Sequence, residues 1–148
     1  MKKIYLFLAI SLMTFSLNSC SKDDSSDNIE TPVSTGIFKC KVNGVQKTFN
    51  TNNFLAAGQV NVVAYIGSKE MPSETIWLTV DENSKTNWDL VYTNLTITQY
   101  FPTESFVMNI TENNTSTKTI KGTFSGNVEE IGSSNKISLT EGIFDIKY

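Results

Sequence analysis

The sequence predicts an all-β domain, an antiparallel β-sandwich, with a flattened up-and-down β-barrel as the alternative. Apolar and polar residues alternate with a period of two through most of residues 36–148, as they do in strands with one buried face. Turn-forming residues interrupt this alternation at short intervals, and no segment carries an apolar stripe at helical spacing. Roughly nine short antiparallel strands result, and such strands pack as a sandwich or close into a barrel.

The first two strands form the clearest hairpin. Phe38, Cys40 and Val42 alternate with lysines, and the return strand begins at Val45. Between them lies Asn43-Gly44, in which both residues tolerate positive φ, so that a two-residue type I′ turn is predicted. The Cys40 thiol is expected on the buried face.

Later strands are predicted in order along the chain. The alternating segments are residues 60–66, 76–80, 95–98, 106–110, 120–128, 137–139 and 144–148. Residues 81–93 fit a loop, a helical turn or a short strand. A turn is expected at 101–103, and a turn or a bulge at Glu141-Gly142. The final strand is expected to be well paired because the alternation continues to its end.

Residues 1–19 predict a bacterial signal peptide. Lys2 and Lys3 precede an apolar stretch of about a dozen residues, shorter than the roughly 20 that a membrane-spanning helix needs. The following Leu17-Asn18-Ser19-Cys20 resembles a bacterial lipobox. The resemblance implies cleavage before Cys20, a diacylglycerol on its thiol and further acylation with chains such as palmitate. Each buried CH₂ then adds about 0.8 kcal/mol of membrane affinity.

Residues 20–35 predict a flexible acidic tether, because the segment 21–27 is polar and acidic and cannot pack. The segment from Cys20 to Asp24 resembles the export signal of lipoproteins that Bacteroidota display on the outer face of the outer membrane. We therefore expect outer-membrane localisation at the cell surface, with a periplasm-facing anchor as the alternative. Without residues 1–19 the chain keeps ten lysines and fifteen acidic residues, a formal charge of −5, so the lipid must provide the attachment.

Composition excludes several function classes. The chain has no histidine and no arginine, and its net charge is −3. Imidazole-based catalysis is therefore absent, and no basic face is available for nucleic acid. Once Cys20 is lipidated, Cys40 has no partner for an intramolecular disulfide. No cofactor is expected.

The single domain at 36–148 resembles a family. Its opening, residues 36–44, and its ending, residues 121–126 and 137–148, are similar to small uncharacterised lipoproteins of the Bacteroidota. These motifs are hydrophobic alternation with turn glycines, so the resemblance implies a fold and transfers no catalytic residue.

Carboxylates provide the remaining route to enzymatic activity. Glu129-Glu130 are adjacent on a predicted strand and point to opposite faces. Asp81, Glu82 and Asp89 could converge in a loop, but loop carboxylates that are simply solvated are far commoner. A carboxylate-dependent hydrolase is therefore the weakest function hypothesis, and we expect no enzyme.

The segment 81–89 also alternates oxygen ligands, which is attractive for Ca²⁺. However, Lys85 occupies a position where a ligand belongs, and no glutamate closes the site at its twelfth residue. No metal site is predicted.

Aromatic side chains are the candidate ligand-binding residues. Trp77 lies on the strand face opposite its apolar neighbours, and Trp88, Tyr92 and Tyr100 are expected in or near loops. Exposed aromatic rings stack on sugars or anchor protein partners, whereas the alternative is that they fill the core or cap its ends.

These observations predict a lipid-anchored binding or accessory module. The first hypothesis is recognition of a glycan, polymer or protein partner by loops at one end of the domain. The second is a structural subunit docked on an outer-membrane complex through a strand edge or an apolar patch.

Overall fold

The computed structural model describes residues 36–148. The predicted signal peptide at 1–19, the lipidation of Cys20 and the tether at 20–35 lie outside the described residues.

Nine strands and no helix are formed by the described residues, which confirms the all-β prediction. The strands are β1 (Gly36–Val42), β2 (Val45–Ala56), β3 (Gln59–Gly67), β4 (Pro72–Asp81), β5 (Trp88–Asn94), β6 (Gln99–Pro102), β7 (Val107–Asn114), β8 (Thr119–Glu130) and β9 (Lys136–Lys147).

The strands form one antiparallel sheet that closes into a barrel, the alternative left open by the sequence. Strands β1 to β6 are paired in chain order, and β9 pairs with both β1 and β8. Closure occurs where β6 pairs with the end of β8, from Tyr100↔Glu130 to Pro102↔Val128. Eight strands complete the ring, and β7 is an extra strand that pairs with the rest of β8. Closure leaves fewer free strand edges than an open two-sheet sandwich would have, although β7 keeps one edge because it pairs only with β8.

The interior is packed with aromatic and branched side chains. Phe38 lies 5.7 Å from Phe49 and 6.2 Å from Phe144, measured between ring centroids. The Phe124 ring joins this cluster directly below Gly142, where an added Cβ would lie 2.5 Å from the ring. Burial of these side chains is the main source of stability.

The first hairpin and the last strand confirm their predictions. Asn43 and Gly44 have φ angles of 49° and 82°, as a type I′ turn requires. Cys40 is fully buried. At Glu141-Gly142 the chain forms a bulge within β9, where the pairing with β1 and with β8 shifts by one residue. Glu141 adopts a φ of 52° there.

Two boundaries differ from the sequence prediction. The segment 95–98 is a turn, because the Asn94 side chain accepts hydrogen bonds from the Thr96 backbone N–H at 3.1 Å and hydroxyl at 2.6 Å. Leu95 and Ile97 are consequently 76% and 83% exposed. The strand follows at β6, which includes part of the expected 101–103 turn. Within 81–93, a turn is followed by the start of β5.

Candidate ligand-binding face

The outward-facing residues of β2, β3, β4 and β5 form one side of the barrel, which we call the aromatic wall. Antiparallel register places them in rows across the four strands. Its side chains are aromatic, amide, hydroxyl, aliphatic and, at two positions, carboxylate. They include Gln46, Thr48, Asn50, Asn52, Phe54, Gln59, Asn61, Val63, Tyr65, Thr75, Trp77, Thr79, Asp81, Asp89, Val91 and Thr93. No lysine occurs at the outward positions of these four strands.

Trp77 stands near the centre of the aromatic wall and is 47% exposed. Its indole Nε1–H donates a hydrogen bond to Asn61 Oδ1 at 3.1 Å. The same oxygen accepts the Thr79 hydroxyl at 3.3 Å, and the Asn61 amide donates to the Gln59 carbonyl at 3.2 Å. Asn61 is only 7% exposed although it faces outward. The buried amide therefore fixes the indole orientation before any ligand arrives.

Further aromatic surface surrounds this network. Phe54 on β2 pairs in register with Asn61 and is exposed. Tyr65 on β3 pairs with Thr75 and is half-buried. Aromatic rings with amide and hydroxyl groups between them offer both stacking surface and directional hydrogen bonds, which together orient a ligand.

A polar cleft of about 270 Å³ adjoins this network, where β4 ends and β5 begins. Its lining residues are Gln59, Thr79, Asp81, Asn87, Trp88 and Asp89. The Asp81 carboxylate accepts the Gln59 amide at 3.0 Å on Oδ1 and the Asn87 amide at 3.3 Å on Oδ2. Three of the lining side chains, those of Gln59, Asp81 and Asn87, are thus held in place by one another.

The four aromatic residues singled out from the sequence do not share one surface. Trp77 is exposed on the aromatic wall. Trp88 is half-buried and lines the cleft, and its ring centroid lies 5.9 Å from that of Phe106. Tyr92 and Tyr100 are buried inside the barrel, with their ring centroids 5.9 Å apart. The expected position in or near loops is wrong for them, because they lie within β5 and β6 on the inward side of the alternation.

Sequence reasoning missed Asn61 as the hydrogen-bond partner of Trp77, and Gln59 as a residue that lines the cleft beside Trp88. Asn61 lies 16 residues before Trp77 in the chain. Only the β3–β4 register brings them together, and no local pattern encodes that register.

The barrel interior also holds ionisable groups. Lys47 and Glu74 form an ion pair between inward-facing positions of β2 and β4. Burial raises the pKa of the Cys40 thiol to about 12, with a further increase from Glu74 that Lys47 partly offsets. Burial and Glu74 likewise raise the pKa of the Tyr92 phenol. At neutral pH both groups remain protonated, and the thiol is a poor nucleophile.

Within residues 36–148 no three carboxylate or thiol groups converge as metal ligands. Two of the candidate oxygen ligands in the 81–89 segment have other partners. Asp81 accepts two side-chain amides, and Asn83 accepts the Thr115 hydroxyl at 3.1 Å. Lys85 donates to the Thr111 carbonyl on β7 at 2.8 Å.

A second depression, of about 570 Å³, lies on the other side of the barrel. Exposed Val107 and Ile143 flank it, and Gly142 lies at its base. It offers mostly aliphatic surface and no exposed aromatic ring.

Among the described residues, no helix has both the length and the apolar character required to cross a membrane. Comparison of the chain with protein-family models, curated proteins and solved structures gives no significant match.

Proposed function

We propose that this protein is a lipid-anchored module of the outer membrane that binds a carbohydrate on its aromatic wall and catalyses no reaction. The observation that carries the proposal is the exposed Trp77 indole, held by buried Asn61 on a wall without lysine. A pyranose ring presents an apolar C–H face to an aromatic ring and hydroxyl groups around its edge. The wall supplies the matching groups: a flat ring, side-chain amides and carboxylates.

The anchor rests on the sequence. Cys20 in its lipobox-like setting receives the lipid, and the tether at 20–35 extends from it. The Cys20→Ala variant is expected to lose incorporation of radiolabelled fatty acid and to accumulate as the uncleaved precursor. A variant that remained labelled and trimmed would place the lipid elsewhere and overturn this part of the proposal.

Binding is tested by tryptophan fluorescence in two variants, each of which keeps only one of the two tryptophans. The chain has only Trp77 and Trp88, so Trp88→Phe reports on Trp77 alone and Trp77→Phe reports on Trp88 alone. The probes are soluble oligosaccharides of β-1,4-glucan, β-1,4-xylan, β-1,4-mannan and α-1,4-glucan. We expect at least one to shift the emission of Trp88→Phe.

The matched Trp77→Ala variant should bind that oligosaccharide at least tenfold more weakly, because a central aromatic anchor is lost. Ile143→Ala, which removes an exposed apolar side chain from the other side of the barrel, is the control and should bind normally. If none of the oligosaccharides changes the emission and none is retained in affinity electrophoresis, the carbohydrate proposal is wrong.

The alternative is a structural subunit of an outer-membrane complex. The aliphatic depression beside Val107 and Ile143 favours it. A membrane protein that co-purifies from mild detergent with the native chain, but not with Val107→Asp, would support this alternative. Capture that is unaffected by Val107→Asp would count against it.

A further inference from the structure

The charge around the aromatic wall restricts which carbohydrate fits it; this inference rests on the proposed function. Asp81 and Asp89 are the only charged residues at the outward positions of β2 to β5. Lys85, in the loop between β4 and β5, donates to the Thr111 carbonyl on β7. The Lys85 ammonium is thus directed toward β7, and no outward strand position of the aromatic wall carries a cation.

The two carboxylates differ in how they are held. Asp81 accepts amide hydrogen bonds on both oxygens, which fixes its plane at the cleft. The Asp89 side chain is exposed, and its carboxylate makes no hydrogen bond or ion pair with any other residue of 36–148. A carboxylate with open acceptor positions suits neighbouring hydroxyl donors, since each of its two oxygens can accept one O–H.

The cleft and the indole are close enough to serve one ligand. Thr79 lines the cleft and lies two positions from Trp77 on the same strand, a spacing of about 6.7 Å. Asp89 pairs with Thr79 from the adjacent strand, about 4.8 Å away. These spacings match adjacent sugar units of one chain rather than two separate ligands.

We infer that the wall has two adjoining subsites for an uncharged glycan: Trp77 stacks on one pyranose ring, and the Asp81–Asp89 cleft accepts hydroxyl groups from the next. Uronic acids and sulfated sugars are disfavoured, because their anions would approach two carboxylates without a compensating cation.

The decisive experiment uses pairs of ligands that share a backbone and differ in charge. Each neutral polysaccharide of the panel is compared with its carboxymethylated derivative, and hexagalacturonate is compared with its methyl ester. Affinity is measured with the folded full chain at low ionic strength, where charge effects are greatest. We expect every bound neutral member to bind at least tenfold more tightly than its anionic counterpart.

Variants at Asp89 test the cause of this preference. Asp89→Asn should weaken neutral binding about threefold to tenfold by weakening the hydroxyl acceptor, and should narrow the discrimination against anions. Asp89→Lys should reduce the preference for neutral over anionic glycans further, or reverse it. The control is Asp145→Asn, which removes one carboxylate from β9 on the other side of the barrel and should alter neither value.

The outcomes separate the two proposals. Anionic glycans that bind as tightly as neutral ones, with binding still lost in Trp77→Ala, overturn the two-subsite inference and leave carbohydrate binding standing. Absence of Trp77-dependent binding to any member of either series overturns the proposed function itself.

Discussion

The two sides of this barrel share one interior but have different outer surfaces. Outward residues of β1, β7, β8 and β9, which we call the ion-paired wall, carry opposite charges in contact. The pairs are Lys41–Glu141 at 2.5 Å, Lys121–Glu112 at 3.7 Å, Lys121–Asp145 at 3.3 Å and Lys136–Glu129 at 3.3 Å. On the aromatic wall the described residues form no ion pair, and amide hydrogen bonds surround an exposed indole.

The outer surface of this fold is therefore independent of its core. The inward-facing side chains of the strands beneath both walls pack together in one core, so either outer surface is compatible with a closed barrel. Surface ion pairs contribute little to stability, and an exposed tryptophan contributes less than a buried one. The Trp77–Asn61 arrangement is therefore the surface feature on which the binding proposal rests.

The shared interior is tested by alkaline unfolding. Cys40 on β1 and Tyr92 on β5 both have raised pKa values in the folded chain. Above about pH 9 the unfolded thiol loses its proton, and above about pH 10 the unfolded phenol does so, while the folded groups retain theirs. The unfolded state then binds fewer protons, so stability falls with rising pH, by on the order of 4 kcal/mol between pH 8 and pH 11.

Chemical denaturation across this pH range measures the loss. Cys40→Ala should reduce the alkaline slope by up to about 1.4 kcal/mol per pH unit, and both walls should unfold in a single transition. Separate transitions would show that the two sides of the barrel do not share one cooperative core, and an unchanged slope in the variant would show that the buried Cys40 thiol is not a source of the pH dependence.

The ion-paired wall depends on close packing beneath it. In Gly142→Ala the new Cβ would lie 2.5 Å from the Phe124 ring, so the free energy of unfolding should fall by about 1–3 kcal/mol. Thr123→Ala, at an exposed position on the neighbouring strand, is the control and should change stability by less than about 0.5 kcal/mol. Carbohydrate affinity should be the same in both variants. Weaker binding by folded Gly142→Ala would show that the two outer surfaces are not independent.

The aromatic wall depends on its buried amide. Asn61→Ala removes the acceptor for the Trp77 indole and the Thr79 hydroxyl, so we expect a stability loss of about 1 kcal/mol. Affinity should fall severalfold because the indole is no longer held in one orientation. Asn50→Ala, at an exposed position of the same wall, serves as the comparison. Equal affinity in the two variants would exclude a positioning role for Asn61.

Ionic strength gives the smallest expected effect. Screening of the exposed ion pairs should lower the free energy of unfolding by less than about 1 kcal/mol between 0.05 M and 0.5 M salt. Binding of a neutral oligosaccharide should not change, because no charge is neutralised on the aromatic wall. Chemical denaturation and an oligosaccharide titration, each carried out at both salt concentrations, measure the two responses. A strong salt dependence of binding would count against a neutral ligand.

Local sequence patterns predicted the parts of the fold that local chemistry determines. The Asn43-Gly44 turn, the buried Cys40 and the outward Trp77 follow from turn conformations and two-residue alternation. The 95–98 turn did not follow, because its apolar residues alternate like a strand while the Asn94 side chain stabilises a turn. Local hydrogen bonding overrode the hydrophobic pattern there.

The candidate site was only partly predictable. Trp77 could be assigned to an outer face, but its partner Asn61 and the cleft residue Asp89 join it through pairing between strands. Choosing the barrel over the sandwich likewise required the β6–β8 pairing, which links residues about thirty positions apart. Such contacts between distant residues depend on the whole sheet and leave no local signal.

The most direct test is an amide and indole NMR titration of the native chain with whichever neutral oligosaccharide of the panel binds. The account predicts that the largest shifts occur at the Trp77 indole N–H and the Asn61 side-chain amide, then at Asn87 and Asp89. Shifts confined to the ion-paired wall, or centred on Val107 and Ile143, would contradict it.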